Sequence, residues 1–162
     1  MARITLQPSD ENATISRTQA SGVGVSTNEA LGGFDALAAV AARIRIVDGQ
    51  SSASANTNSP GDVADNESRI EYSIDGGGSW VIIAGYTSAL AGVGPGHPES
   101  ESTSVGATDI TTNVGNLTDL SLVRLRVVAE IVTQTNSPTQ TCSASFTNWE
   151  VSYQAILSIL DG

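Results

Sequence analysis

The stretch from Arg69 to Ile83 constrains this chain more than any other. Ile70, Tyr72 and Ile74 alternate with Arg69, Glu71 and Ser73, the period of a strand with one buried face. Asp75-Gly76-Gly77-Gly78-Ser79 follows, a turn that needs positive φ at several positions, which glycine accepts without a Cβ clash. Trp80 to Ile83 reads as the return strand. The spacing therefore predicts a β-hairpin.

Ser73, Asp75, Gly77 and Trp80 fall on the pattern Ser-x-Asp-x-Gly-x-x-Trp. The turn thus resembles the Asp-box of sialidase propellers and of many β-rich secreted or viral proteins. The resemblance implies a turn device away from catalytic centres, in which the Asp caps backbone N–H groups and the aromatic ring packs beneath. It spans eight residues and occurs once. A propeller repeats its box blade by blade, so the match implies a fixed hairpin and not sialidase activity.

With 162 residues the chain can build one domain around one core. Hydrophobic residues make up 40% and the mean hydropathy is zero, a globular composition. Only 15% is charged, below the usual quarter. Ser, Thr and Asn take the place of charge, which suits strands and loops better than helices because these side chains compete for helix backbone groups. All seven basic residues are arginines, set against 17 acids, for a net charge of -10. Such a chain repels phosphate backbones and anionic membrane surfaces, so neither nucleic acid nor membrane is an expected partner.

Cys142 stands alone, so no intrachain disulfide is available, and it reads as a small buried hydrophobe and not a nucleophile. The first residues lack an apolar signal core, and no apolar run reaches membrane-spanning length. Asn12, Asn66 and Asn116 begin Asn-x-Ser/Thr triplets, relevant only in a eukaryotic secretory path.

Along the chain, Arg3 to Leu6 reads as a short strand and residues 1–12 as an N-terminal arm able to dock on a neighbour. Ala13 to Gln19 is a weak strand and Gly22 to Asn28 is irregular or extended. In Ala36 to Val47, the residues Ala38, Val40, Ala42, Ile44 and Ile46 share one two-residue phase opposite Arg43 and Arg45; this reads as a long strand, with a short helix at 35–41 as the rival. Residues 48–66 read as a polar, serine-rich loop, and 91–116 as a second long loop with one short strand at 108–112. In Ser121 to Thr133, Val123, Leu125, Val127, Ala129 and Ile131 face one way. A last strand places Trp149, Val151 and Tyr153 in one phase, with a bulge expected at Thr147-Asn148. Ile156 to Leu160 is apolar on both parities, as a subunit contact would be. The sum is an all-β chain: a single antiparallel, jelly-roll-like β-sandwich over 1–162, with long loops and little helix.

Candidate chemistry is sparse. His97 sits in a Gly/Pro loop near Glu99 and Glu101, without the second anchoring group that a ligand or base needs. Asp62, Asp65 and Glu67 could offer oxygens to Ca²⁺, but not at EF-hand spacing. Glu71, Glu130 and Glu150 are the carboxylates that glycoside hydrolysis would have to recruit; beside Arg43, Arg45, Arg124 and Arg126 they read more simply as cross-strand ion pairs. Of Trp80, Trp149, Tyr72, Tyr86 and Tyr153, the residues Tyr72, Trp149 and Tyr153 share core phases, and Tyr86, after Gly85, is the aromatic expected at the surface. No phosphate-cradling loop, metal spacing or nucleophile elbow appears, so no catalytic residue, cofactor or metal is assigned.

The order from residue 40 to 155 is a long strand, the hairpin, an Arg-x-Arg strand, a turn and Asn-Trp-Glu-Val-Ser-Tyr. It resembles the closing half of galactose-binding-like and phage jelly rolls. The acidic, lysine-free profile resembles small phage virion components, capsid decoration (cement) proteins or short fibre domains. That resemblance implies a non-enzymatic virion protein, assembled in the host cytoplasm. It implies a homo-oligomer, a trimer above all, on a major capsid or other virion lattice. Arg3, Ile4, Leu6, Ile156, Ile159 and Leu160 are then the interface candidates. The alternative is a carbohydrate-binding jelly roll for host or glycan recognition.

Overall fold

The computed structural model of the chain describes residues 3–6, 11–18, 22–29, 39–57, 63–93, 99–117, 119–135 and 139–155. The strands are β1 (Arg3–Leu6), β2 (Glu11–Thr18), β3 (Gly22–Glu29), β4 (Ala39–Ile46), β5 (Asp48–Thr57) and β6 (Val63–Ser73). They continue with β7 (Val81–Val93), β8 (Glu99–Val105), β9 (Ile110–Leu117), β10 (Arg124–Thr135), β11 (Thr139–Thr147) and β12 (Glu150–Ala155). A short 3-10 turn, Leu120–Leu122, leads into β10. The fold is all-β and every strand pairing is antiparallel.

Two of the three four-stranded sheets repeat one another: β1-β12-β4-β9 and β2-β11-β5-β8. Each position in one is the chain neighbour of the same position in the other, so they are two halves of one bent layer. The third sheet, β3-β10-β6-β7, is the opposing layer. Joining the four split strands and adding β3, β6, β7 and β10 gives eight long strands in orders 1-8-3-6 and 2-7-4-5. That order is a jelly roll. The bend falls at Val47, at 106–109 and at Asn148, whose φ of 49° is a left-handed conformation that asparagine tolerates better than most residues. The irregularity expected at Thr147-Asn148 is this corner.

The core has a thick part and a thin part. In the thick part Trp149, Phe146, Tyr86, Ile44, Ile46, Ile70, Leu125 and Val127 interlock. The thin part holds Ala53, Ala55, Ala64, Leu90, Ala129, Ile131 and Cys142. There the layers lie within reach of a serine: Ser68 Oγ donates to Ser52 O at 2.7 Å and Asn66 Nδ2 to Ser54 O at 2.7 Å. Ser51 and Ser88 hydroxyls meet at 3.0 Å. The Ser51, Ser68 and Ser88 hydroxyls and the Asn66 amide nitrogen are thereby paired, which removes most of the desolvation cost of burying them, while Asn66 Oδ1 is buried without a partner among the described residues.

Several expectations are corrected. Residues 48–66 are not a loop: 48–57 form β5 and 63–66 open β6. Ser51, Ala53 and Ala55 are its inward phase, a buried face too small and polar to register as one. Residues 91–116 likewise carry the end of β7, all of β8 and most of β9. β8 lies at a sheet edge on β5, and its residues 100–104 are exposed on both faces, so no alternation marked it. Residues 3–6 and 11–12 of the expected arm pair with β12 and β11 of their own chain. Positions 39–41 of the rival helix are strand; 35–38 lie outside the described residues.

Tyr86, expected at the surface, is fully buried. Gly85 takes φ 88°, and the β6–β7 register slips there, from Arg69 opposite Thr87 to Glu71 opposite Ile82. This bulge turns Tyr86 inward, and its hydroxyl donates to Thr108 O. The ring lies on the β5 backbone so closely that a Cβ at Gly49 would stand 2.3 Å from Cε1. Gly49→Ala is therefore expected to lower stability by about 1–3 kcal/mol, the usual cost of overpacking. Gly106→Ala, whose Cβ meets nothing within 4 Å, is the neutral control, both read from urea midpoints.

Candidate functional site

The hairpin expected from the sequence forms between β6 and β7, and its turn is tied at every corner. Ser73 Oγ donates to Asp75 Oδ1 at 2.7 Å and accepts from the N–H groups of Asp75 (3.3 Å) and Gly77 (2.9 Å). Asp75 accepts from Ser79 N at 2.9 Å and from Ser79 Oγ at 2.5 Å. Trp80 Nε1 donates to Gly77 O at 3.1 Å. Ser73, Asp75, Gly77 and Trp80 are thus brought together, and the φ values of Gly76 (76°) and Gly77 (99°) explain the glycines.

The Ser79 and Ser73 hydroxyls, then the Ser79 N–H, hold the Asp75 carboxyl well below the usual carboxylate range. A folded-state pKa below the unfolded one means that this contribution is complete above about pH 4 and fades as pH falls through the folded value. Asp75→Asn is accordingly expected to destabilise most near neutrality, with the gap to wild type closing in strong acid. Urea unfolding of both proteins from pH 7 downward checks this.

Beside the turn, the outer face of β6 and β10 carries an ion network. Glu71, 4% exposed, accepts from Arg69 Nε at 2.5 Å and from Arg126 Nε at 2.6 Å. Arg69 also reaches Glu67 at 3.2 Å and Glu130 at 3.4 Å. Arg126 stacks on the Trp80 ring, 4.0 Å from its centroid, joining the network to the turn. On the other layer Arg45 pairs with Asp109 at 2.6 Å and Glu150 at 3.7 Å. Glu71 and Glu130 therefore share Arg69, while Glu150 belongs to a different sheet; the three do not converge.

The turn end is also apolar. Ile74 is 41% exposed, Val81 and Ile82 are each 49% exposed and Leu122 is 38% exposed. Val81 stands opposite Tyr72 and Ile82 opposite Glu71. Leu122 O accepts from Gly76 N at 2.9 Å, so the 3-10 turn is fastened to the hairpin. Asp119 caps that turn through Ser121 N at 2.8 Å. A backbone held by these hydrogen bonds presents aliphatic side chains to solvent. The sequence carried a signal for this: Val81-Ile82-Ile83 is apolar on both parities, more than one buried face requires.

The other candidates fall as follows. Cys142 is buried, donates to Glu130 O at 3.3 Å, and its thiol is pushed up to about 11 by burial, which keeps it protonated. Trp149 and Tyr153 are core and Tyr72 packs against it. Asp65 and Glu67 lie on β6 and Glu101 is exposed on β8. Among the described residues no group of three or more His, Cys, Asp or Glu has metal-holding geometry. Arg3, Ile4 and Leu6 lie in edge strand β1; His97, Asp62, Ile156, Ile159 and Leu160 lie outside the described residues.

No protein-family model and no curated protein matches the chain. One solved structure with some likeness is "Structure of infectious bursal disease virus Gx strain", at 10% identity and a TM-score of 0.28. The match covers 98% of this chain and 37% of that one. A likeness at that score carries no argument about function.

Proposed function

We propose that this is a non-enzymatic assembly protein, a virion component of the decoration or cement kind. It acts as a homo-oligomer, a trimer above all, on a larger virion lattice. The reading is carried by the exposed aliphatic side chains of Ile74, Val81, Ile82 and Leu122 at and beside a turn fixed by side-chain hydrogen bonds. Preorganised aliphatic side chains suit a contact surface, because little ordering entropy is lost on docking. The jelly-roll order supports it as a fold that serves capsid domains, although lectins share the fold. The ion network supports it as well: Arg69 and Arg126 are engaged with Glu67, Glu71 and Glu130.

Sedimentation velocity over a wide concentration range, paired with a glycan array, tests the reading. A defined oligomer without glycan binding is expected. A persistent monomer that binds a glycan would replace this reading with the carbohydrate-binding one, although Tyr86, its surface aromatic from the sequence, is buried.

A further inference from the structure

β4 carries a bulge against both of its neighbours. On the β12 side Arg43 faces Ser152 and Val40 faces Gln154, so Ala41 and Ala42 together oppose Tyr153. On the β9 side the register also slips twice, between Ala39 and Arg43. Ala41 sits at φ 53°, a conformation unfavourable for a residue with a Cβ, and its N–H is held by Asn116 Oδ1 at 3.3 Å. Strained residues of this kind persist where their surroundings fix them and cluster at binding sites. The bulge opens a cavity of about 160 Å³ lined by Ala41, Arg43, Ser152, Tyr153 and Gln154.

Charge singles this cavity out. Arg45, Arg69 and Arg126 are each held by carboxylates, whereas Arg43 is exposed and has no ion-pair partner among the described residues. In a chain of net charge -10 such a cation is conspicuous. Register also sets Arg3 of β1 across from Gln154. The cavity lies toward the Ala39–Leu117–Ala155 end of its sheet, and the few residues from Leu117 to the 3-10 turn put Leu122 and the hairpin turn fastened to it at that same end.

We propose that this notch is a carboxylate-binding site, filled in the assembly by an acidic side chain of a second copy of the chain. The guanidinium fork of Arg43 matches a carboxylate in two parallel hydrogen bonds, and the exposed side chain of Gln154 supplies a neutral hydrogen-bonding group beside it. Seventeen acids per chain make a second copy rich in the complementary group. The inference deepens the assembly reading and rests on it.

The test is sedimentation of wild type, Arg43→Ala and Arg43→Lys, in sodium chloride and in sodium acetate at equal ionic strength. Self-association at least tenfold weaker in Arg43→Ala, intermediate in Arg43→Lys, is expected. Acetate should weaken the wild-type assembly more than chloride does and leave Arg43→Ala unchanged. Wild-type association in Arg43→Ala would overturn the notch and leave the assembly reading standing; a wild type that is monomeric at every concentration would overturn both. N-acetylneuraminic acid titrated by NMR separates the sources of carboxylate: Arg43-dependent binding of the sugar acid with unchanged self-association would overturn the second copy as occupant.

Discussion

Glu71→Ala is expected to lower the stability of the sandwich by about 3 kcal/mol, at the lower end for breaking a buried ion pair. Glu71 is nearly inaccessible and serves two guanidiniums at once. Its removal strands Arg69 and Arg126 in a partly dry layer. Arg69 keeps Glu67 and Glu130, and Arg126 keeps its stack on Trp80, which holds the loss below the 5 kcal/mol extreme. Partial exposure of the two arginines screens it further. Glu101→Ala, at an exposed position on β8, is expected to stay within about 0.5 kcal/mol of wild type. Urea unfolding read by Trp fluorescence measures both. An equal, small effect for the two would mean that the network contributes surface charge and little else.

The second large effect is at the corner of the bent layer. Trp149 is fully buried and meets Phe146 edge to face, with centroids 6.0 Å apart and planes at 77°. Trp149→Ala empties the largest side chain of the thick core and is expected to cost about 3–5 kcal/mol. At the size of this domain that is a fall in Tm on the order of 10 °C. Trp149→Phe should recover more than half of it. Differential scanning calorimetry decides; a shift of only a degree or two in the alanine variant would mean that Trp149 is not a keystone of the core.

The sequence made the regularly alternating parts of this fold legible. β10 was readable because Leu125, Val127, Ala129 and Ile131, with Val123 just before the strand, are apolar on one parity, and all are buried. The Asp-box turn was readable because its residues act locally, within eight positions. β5 and β8 were not readable, for opposite reasons. β5 buries Ser51, Ala53 and Ala55, residues without a hydrophobic signature, in a place where the layers approach closely. β8 exposes both faces and exists only because β5 offers it an edge. Tyr86 misled because one left-handed glycine, Gly85, reversed the phase of the strand. The site divided in the same way: the turn was visible, whereas the stack of Arg126 on Trp80 and the notch at Ala41 depend on strands far apart in sequence.

Sedimentation equilibrium of a Val81→Asp, Leu122→Asp double variant against wild type tests the central claim most directly. Val81 is 49% and Leu122 38% exposed and neither belongs to the buried core, so the variant should keep its far-UV spectrum and lose little in its unfolding midpoint. The account predicts a wild type that forms a defined oligomer and a variant that sediments as a folded monomer. A variant that assembles as tightly as wild type would contradict it, and so would a wild type that never leaves the monomer.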